Sequence, residues 1–276
     1  MSFMIVSAPA LKVVRQFVDG AFGQIHVRIA APETQTARPL ACLHMSPKSG
    51  RIYARFMQAM AADRMVIAHD YPGFGESDAP PAEPPVSIED YARSLWDVVD
   101  ELGLGQIDLM GYHTGSEVAV EAARQRPEGV GAIVLIGTPI FTAQELDAMH
   151  ATYSHVDLDV DGTRFSRMWA SVVAHRGPGM TLEMMAESFA ENLRAGEAYE
   201  WGHRAAFAYA RRFPEVLSSL AHRITVFNPE DDLREQTLRA PAYLANGVVE
   251  DHPEWGHGFL DAHTADAVRA VKAALG

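Results

Sequence analysis

The sequence predicts an α/β fold: a mostly parallel central sheet flanked by helices, with a helical insertion over one end of the sheet. Three observations carry the prediction. Short apolar runs alternate with helix-like segments through the first half of the chain. The glycine-bracketed pentapeptide Gly111-Tyr112-His113-Thr114-Gly115 follows one of those runs and opens a helix. From Thr142 to Leu220 the pattern turns helical, with no convincing strand before the next apolar run.

Taken in order, Gln24–Ile29 alternates at period two and predicts a partly exposed early strand. Leu40–Leu43 and Met65–Ala68 are short continuous apolar runs, the pattern of strands buried on both faces. Pro80, Pro81, Pro84 and Pro85 mark a stiff loop. Ser87 with Asp90 three residues on is a capping-box start, and Ile88, Tyr91, Leu95, Val98 and Leu102 then recur at helical spacing. That stripe is read as core packing, and Gly103 ends the helix. Ile107–Met110, Ala132–Ile136 and Ile224–Phe227 continue the strand series. The division expected is a core of residues 1–141 and 221–276 with a helical cap over 142–220. Trp169 and the methionines of that cap are candidates to line a substrate pocket, against the plainer alternative that they only pack cap on core.

The chain is 276 residues long, enough for one large α/β domain with a cap. Its 23 Lys and Arg against 36 Asp and Glu give a formal net charge of −13, which repels nucleic acid and anionic membranes. Neither is an expected partner; a small-molecule substrate is, and a homodimer is left open. Cys42 is the single cysteine and sits in an apolar run, so it reads as a core residue without a disulfide. Residues Met1–Ser7 lack a basic start followed by a long apolar stretch, and a cytoplasmic setting is the expectation. His150, His155, His175 and His203 have no metal-ligand spacing, and Pro72-Gly73-Phe74-Gly75 lacks the spacing of a phosphate loop. No metal and no cofactor are expected.

Four features together resemble the α/β-hydrolase superfamily. Leu43-His44 ends an early strand, where the family has a His-Gly that opens its oxyanion loop. Asp70-Tyr71-Pro72-Gly73-Phe74-Gly75-Glu76-Ser77 matches the family's D-x-P-G-[FH]-G-x-S turn. Gly111–Gly115 has the frame of the nucleophile elbow, the strand-to-helix turn that exposes a serine. Asn228–Asp232 follows a strand, and Trp255-Gly256-His257-Gly258 precedes the last helix, the family's order of nucleophile, acid and histidine. The resemblance implies that Asp232 is the acid, with Asp231 and Glu230 as neighbouring alternatives, and that His257 is the general base. It also implies an oxyanion hole from the amides of Thr114 and Met45. Met45 replaces the family's glycine, a departure that bears on the width of that hole. His44 and Tyr112 are expected to border the same pocket.

The larger departure is histidine at the nucleophile position. Imidazole has no hydroxyl proton to give to a neighbouring base, so acyl-serine chemistry is not expected. Three routes stay open. His113 can attack directly, or orient a water that His257 deprotonates, or belong to a pocket that only binds. The second is preferred, because two imidazoles with Asp232 can hold one proton between them near neutral pH. The expected function is cofactor-independent conversion of a small carbonyl compound, an ester or lactone, by His113, Asp232 and His257. A lyase, isomerase or oxygenase on the same scaffold and a non-catalytic binding protein are the alternatives.

Overall fold

The computed structural model describes residues 11–152 and 156–276. The N-terminal stretch read above for a targeting signal, His155 and the side chain of His150 lie outside what it describes. Strands β1 (Val14–Gly20), β2 (Gly23–Ala30), β3 (Leu40–Leu43), β4 (Val66–His69), β5 (Ile107–Tyr112), β6 (Val130–Ile136), β7 (Ile224–Pro229) and β8 (Gly247–His252) form one sheet. The order is β1-β2-β4-β3-β5-β6-β7-β8. β1 and β2 pair antiparallel, β2 pairs antiparallel with β4, and every later pair is parallel.

The helices are α1 (Ala54–Met60), α2 (Ile88–Glu101), α3 (Thr114–Gln125), α4 (Ala143–Thr152), α5 (Thr163–Ala174), α6 (Leu182–Arg194), α7 (Trp201–Ala210), α8 (Phe213–Ser219), α9 (Arg234–Thr237), α10 (Phe259–Ala262) and α11 (Thr264–Leu275). Apolar strand residues alternate between two cores. Ala41, Leu43, Leu109, Leu135 and Val226 face α2, α3 and α8, whereas Cys42, Met110, Val134 and Phe227 face α1 and α11. Each fully buried Leu, Val or Phe in these layers contributes about 1.5–3 kcal/mol. The continuous apolar runs are thus explained: both faces of β3 to β7 are covered. Among the described residues no helix is long and apolar enough to cross a membrane.

The capping box forms as the sequence predicts. Ser87 Oγ accepts from the Asp90 amide at 3.2 Å, and Asp90 Oδ2 accepts from the Ser87 amide at 3.0 Å; such a cap contributes about 1 kcal/mol. Two strands carry no apolar run and were not predicted. β1 and β8 are sheet edges, and most of their side chains reach solvent. Between β6 and β7 the chain runs through α4 to α8, the stretch read from sequence as helical.

The elbow is set by two close approaches. A Cβ on Gly111 would lie 2.1 Å from the Gly115 carbonyl oxygen, and one on Gly115 would lie 1.9 Å from the Leu43 carbonyl oxygen. Only glycine lets α3 start this close to the end of β3. Gly115→Ala is therefore expected to cost at least about 3 kcal/mol, because the neighbour is backbone and cannot rotate away. Gly105→Ala is the control, with nothing within 4 Å of its added methyl. Urea unfolding of the two variants checks the contrast, which equal midpoints would contradict.

Candidate active site

The site lies at the C-terminal ends of the parallel strands. His113 follows β5 directly and stands at the N-cap of α3 with φ 49°, the one non-glycine residue at positive φ among those described. Its amide donates to the Ile136 carbonyl at 2.9 Å, and its carbonyl accepts from the Ser116 amide at 2.8 Å. Gly137, at the end of β6, makes room for the imidazole: a Cβ there would lie 2.6 Å from His113 Cδ2. Ser116 is fully buried and donates through Oγ to the Gly111 carbonyl at 3.1 Å, so its hydroxyl staples the elbow.

The loops after β7 and β8 bring in the carboxylates and the second imidazole. The loops are joined by the Glu230 amide donating to the Trp255 carbonyl at 2.7 Å, and the strand ends before them by Asn228 Nδ2 donating to Asp251 Oδ1 at 3.0 Å. His257 Nε2 meets Asp232 Oδ1 at 2.7 Å. The two aspartates divide their work. Asp231, whose side chain is fully buried, takes His113 Nε2 at 2.9 Å and holds its other oxygen on the Leu233 amide at 3.0 Å. Asp232, with a side chain 42% exposed, faces His113 Nδ1 at 4.0 Å as well as His257. The two imidazole rings are 5.5 Å apart at steep angle.

His113 is thus an imidazole between two anions. Burial alone opposes its protonation, but the Asp231 charge and hydrogen bond, with the Asp232 charge behind them, raise its pKa above the ordinary 6.5. Burial would also raise Asp232; its hydrogen bond to His257 and the charges of both imidazoles hold it far below the usual carboxylate range. His113, Asp231 and Asp232 bring three potential metal-ligating atoms within 4.8 Å of one another. Asp231 and Asp232 approach opposite nitrogens of the ring, however, so the geometry is that of an ion pair rather than of donors converging on one point.

Around these groups is a cavity of about 290 Å³. Met45, Tyr112, Thr114, Asp232 and His257 all border it with His113. Thr114 is the first residue of α3, so its amide has no intrahelical acceptor and the helix dipole points its positive end here. His44 and Trp169, by contrast, are absent from the wall among the described residues. His44 is fully buried below it. Its Nδ1–H donates to the Met45 carbonyl at 3.1 Å and its Nε2 accepts from the Tyr71 amide at 3.1 Å, which fixes a neutral ring. Burial lowers its pKa to about 4, against the pull of Asp70. Trp169 packs edge-on against Phe189 instead, at 5.6 Å.

The cap-side wall carries groups that sequence reasoning passed over. Lys48 is 9% exposed, donates to the Ser188 carbonyl at 2.8 Å and Ser188 Oγ at 2.7 Å, and has its pKa lowered to about 7 by burial against the pull of Glu191. Its neighbour Ser49 donates to Glu191, so the loop after β3 is bound twice to α6. His175 and His203 also border the cavity. The Gly177 amide donates to the His257 carbonyl at 3.2 Å, which seats the end of α5 against the catalytic-side loop. None of these pairings has a sequence signal, because each joins residues far apart in the chain. Asp231 stood in the sequence only as an alternative to Asp232, because adjacent acids on one turn carry the same local signal.

Asp231→Ala is expected to lower stability by about 1–3 kcal/mol, less than a fully trapped charge because the freed imidazole can lose its proton. The His113 contribution is complete below its ordinary pKa of 6.5 and fades as pH rises through the raised folded value. Urea midpoints measured from about pH 6 to about pH 9 should therefore converge for the two proteins. A constant gap would contradict the ion pair.

A family model described as the α/β-hydrolase fold matches residues 38–176. A proline iminopeptidase from Lactobacillus delbrueckii subsp. bulgaricus is 30% identical over 133 residues, 46% of this chain and 45% of the peptidase. Haloalkane dehalogenase 2 from Mycobacterium tuberculosis is 28% identical over 131 residues, 48% of this chain and 44% of its own. The aligned stretch thus spans about half the length of these curated relatives. An esterase from Exiguobacterium antarcticum superposes with a TM-score of 0.78 at 17% identity, over 95% of this chain and 99% of the esterase, a likeness of fold. With half of the chain matched by the family model and the sheet order, elbow and paired loops in place, the chain belongs to the α/β-hydrolase fold family.

Proposed function

We propose that the protein hydrolyses a small ester or lactone with water, rather than the elbow side chain, as the attacking nucleophile. The observation that carries this is the 2.9 Å contact between His113 Nε2 and the buried Asp231 carboxylate. Against the opposing effect of burial, the carboxylates facing its two nitrogens, Asp231 at 2.9 Å and Asp232 at 4.0 Å, raise the His113 pKa, and this favours the imidazolium, which has no lone pair to offer a carbonyl carbon. His257 remains. Asp232 holds its Nε2, which leaves Nδ1 as the base.

In the reaction proposed, Nδ1 of His257 removes a proton from water as the water oxygen bonds to the carbonyl carbon. The tetrahedral oxyanion rests on the Thr114 and Met45 amides, with the His113 charge nearby. Its collapse breaks the carbon–oxygen bond to the leaving group, and His257 returns the proton to that oxygen. An acid and an alcohol leave. The methionines and Phe207 of the wall suit substrates with apolar bulk. Residues 142–220 act as the cap that shields this step from bulk water. The names of the relatives, a peptidase, a dehalogenase and an esterase, support hydrolytic chemistry on this scaffold.

The test is quenched-flow turnover of p-nitrophenyl butyrate followed by peptide mass spectrometry. No acyl adduct on the peptide carrying His113 and no burst of nitrophenol are expected; an adduct there would contradict the proposal. His113→Ser should instead introduce a burst, since a hydroxyl then stands at the elbow within reach of His257.

A further inference from the structure

Among the described residues, Glu117 is the one on the cavity wall with a buried carboxyl that has no hydrogen-bond partner. It is 0% exposed, and neither Oε1 nor Oε2 has a hydrogen-bond partner. It follows His113 by four residues, about 6 Å along the α3 axis, and borders the same cavity. Ser46 borders the same cavity, is 5% exposed and also has an unpartnered hydroxyl. The Ser46 amide reaches Thr114 Oγ1 at 3.4 Å, and Thr114 is one turn before Glu117. Gly202 of α7 leaves the room that Ser46 Oγ occupies: a Cβ there would lie 1.9 Å from it.

We propose that Glu117, with Ser46 on the same cavity wall, is an uncharged hydrogen-bonding subsite that binds a hydroxyl, carbonyl or amide oxygen carried by the substrate about 6 Å from the reacting carbonyl. The proposal rests on the hydrolase reading only for the location of that carbonyl. An isolated carboxylate in this position would be a buried charge without a cation, which is far costlier than the neutral acid. Burial, with the Glu89 charge adding to it, accordingly raises the Glu117 pKa well above the ordinary range. The neutral acid is a donor and an acceptor at once. A ligand oxygen satisfies both functions, which no protein group does. The subsite selects against a plain alkyl chain, which leaves the acid unpartnered.

The experiment uses two unreactive probes, N-methyl-6-hydroxyhexanamide and N-methylhexanamide, titrated calorimetrically into the wild type, Glu117→Gln and Glu117→Leu. The wild type should bind the hydroxylated amide about five- to tenfold more tightly. Glu117→Gln, which keeps a donor and an acceptor, should retain most of that preference, and Glu117→Leu should abolish it. Equal affinities in the wild type, a preference that survives in Glu117→Leu, or no binding of either amide would each overturn the subsite. Because neither probe is hydrolysed, these outcomes stand apart from any failure of the hydrolase reading. His257→Ala should keep the preference whatever its activity. An infrared difference spectrum of wild type against Glu117→Gln gives a second readout, a protonated carboxyl band that shifts when the hydroxylated amide binds. A band in the carboxylate region would overturn it.

Discussion

The close passage of α3 over the end of β3 is the constraint on which the rest of the site depends. It demands glycine at 111 and 115 and forces the residue between them into the left-handed region. For a side chain such as histidine that conformation costs about 1–3 kcal/mol. The cost is offset locally, by the Ile136 and Ser116 backbone hydrogen bonds, and across the sheet by Asp231. What the turn gives in return is position. The imidazole is lifted to the strand ends, the Thr114 amide stands beside it without an intrahelical acceptor, and the loops after β7 and β8 close around both.

A second anchor fixes the opposite side. Asp70 is fully buried and accepts from His26 Nδ1 at 2.8 Å, Arg28 Nη1 at 3.1 Å, and the amides of Gly50 and Glu76 at 2.8 and 3.0 Å. Despite burial, these partners keep its pKa below the usual carboxylate value. Gly75 fits only because it has no side chain, since a Cβ would lie 2.1 Å from Asp70 Oδ2. The turn 70–77 therefore has a structural part to play: it holds the loop that carries Met45 and Lys48 against the elbow. Three acids near the site thus take three forms for three physical reasons. Asp231 pairs with the His113 imidazole, Asp232 pairs with His257 while touching solvent, and Glu117 has no hydrogen-bond partner.

Most of the fold was legible because the chemistry that specifies it is local. Apolar runs mark β3 to β7, Ser87 and Asp90 mark the start of α2, and the glycines mark the elbow. The edge strands β1 and β8 were not legible, since a strand with one covered edge and exposed faces needs no apolar pattern. At the site, the sequence order placed His113, Asp232 and His257 near one another, and the structure brings those three together. It did not show that Asp231 would engage His113 from the other edge of the ring, because two adjacent acids on a turn are indistinguishable until the backbone aims them. Lys48, Gly137, Glu117 and His203 were missed for a related reason: they are ordinary residues whose role comes only from what folding places opposite them. Trp169 and His44 show the converse, with conspicuous side chains taken up by packing and by backbone hydrogen bonds.

The proposed hydrolysis requires His257 as the base that activates water while His113 stays bound to Asp231. The most direct test is untargeted mass spectrometry of a small-metabolite extract incubated with the wild type and with His257→Ala. A compound that gains the mass of one water with the wild type alone is the predicted result. A gain that persists with His257→Ala, or an extract left unchanged by both proteins, would contradict it.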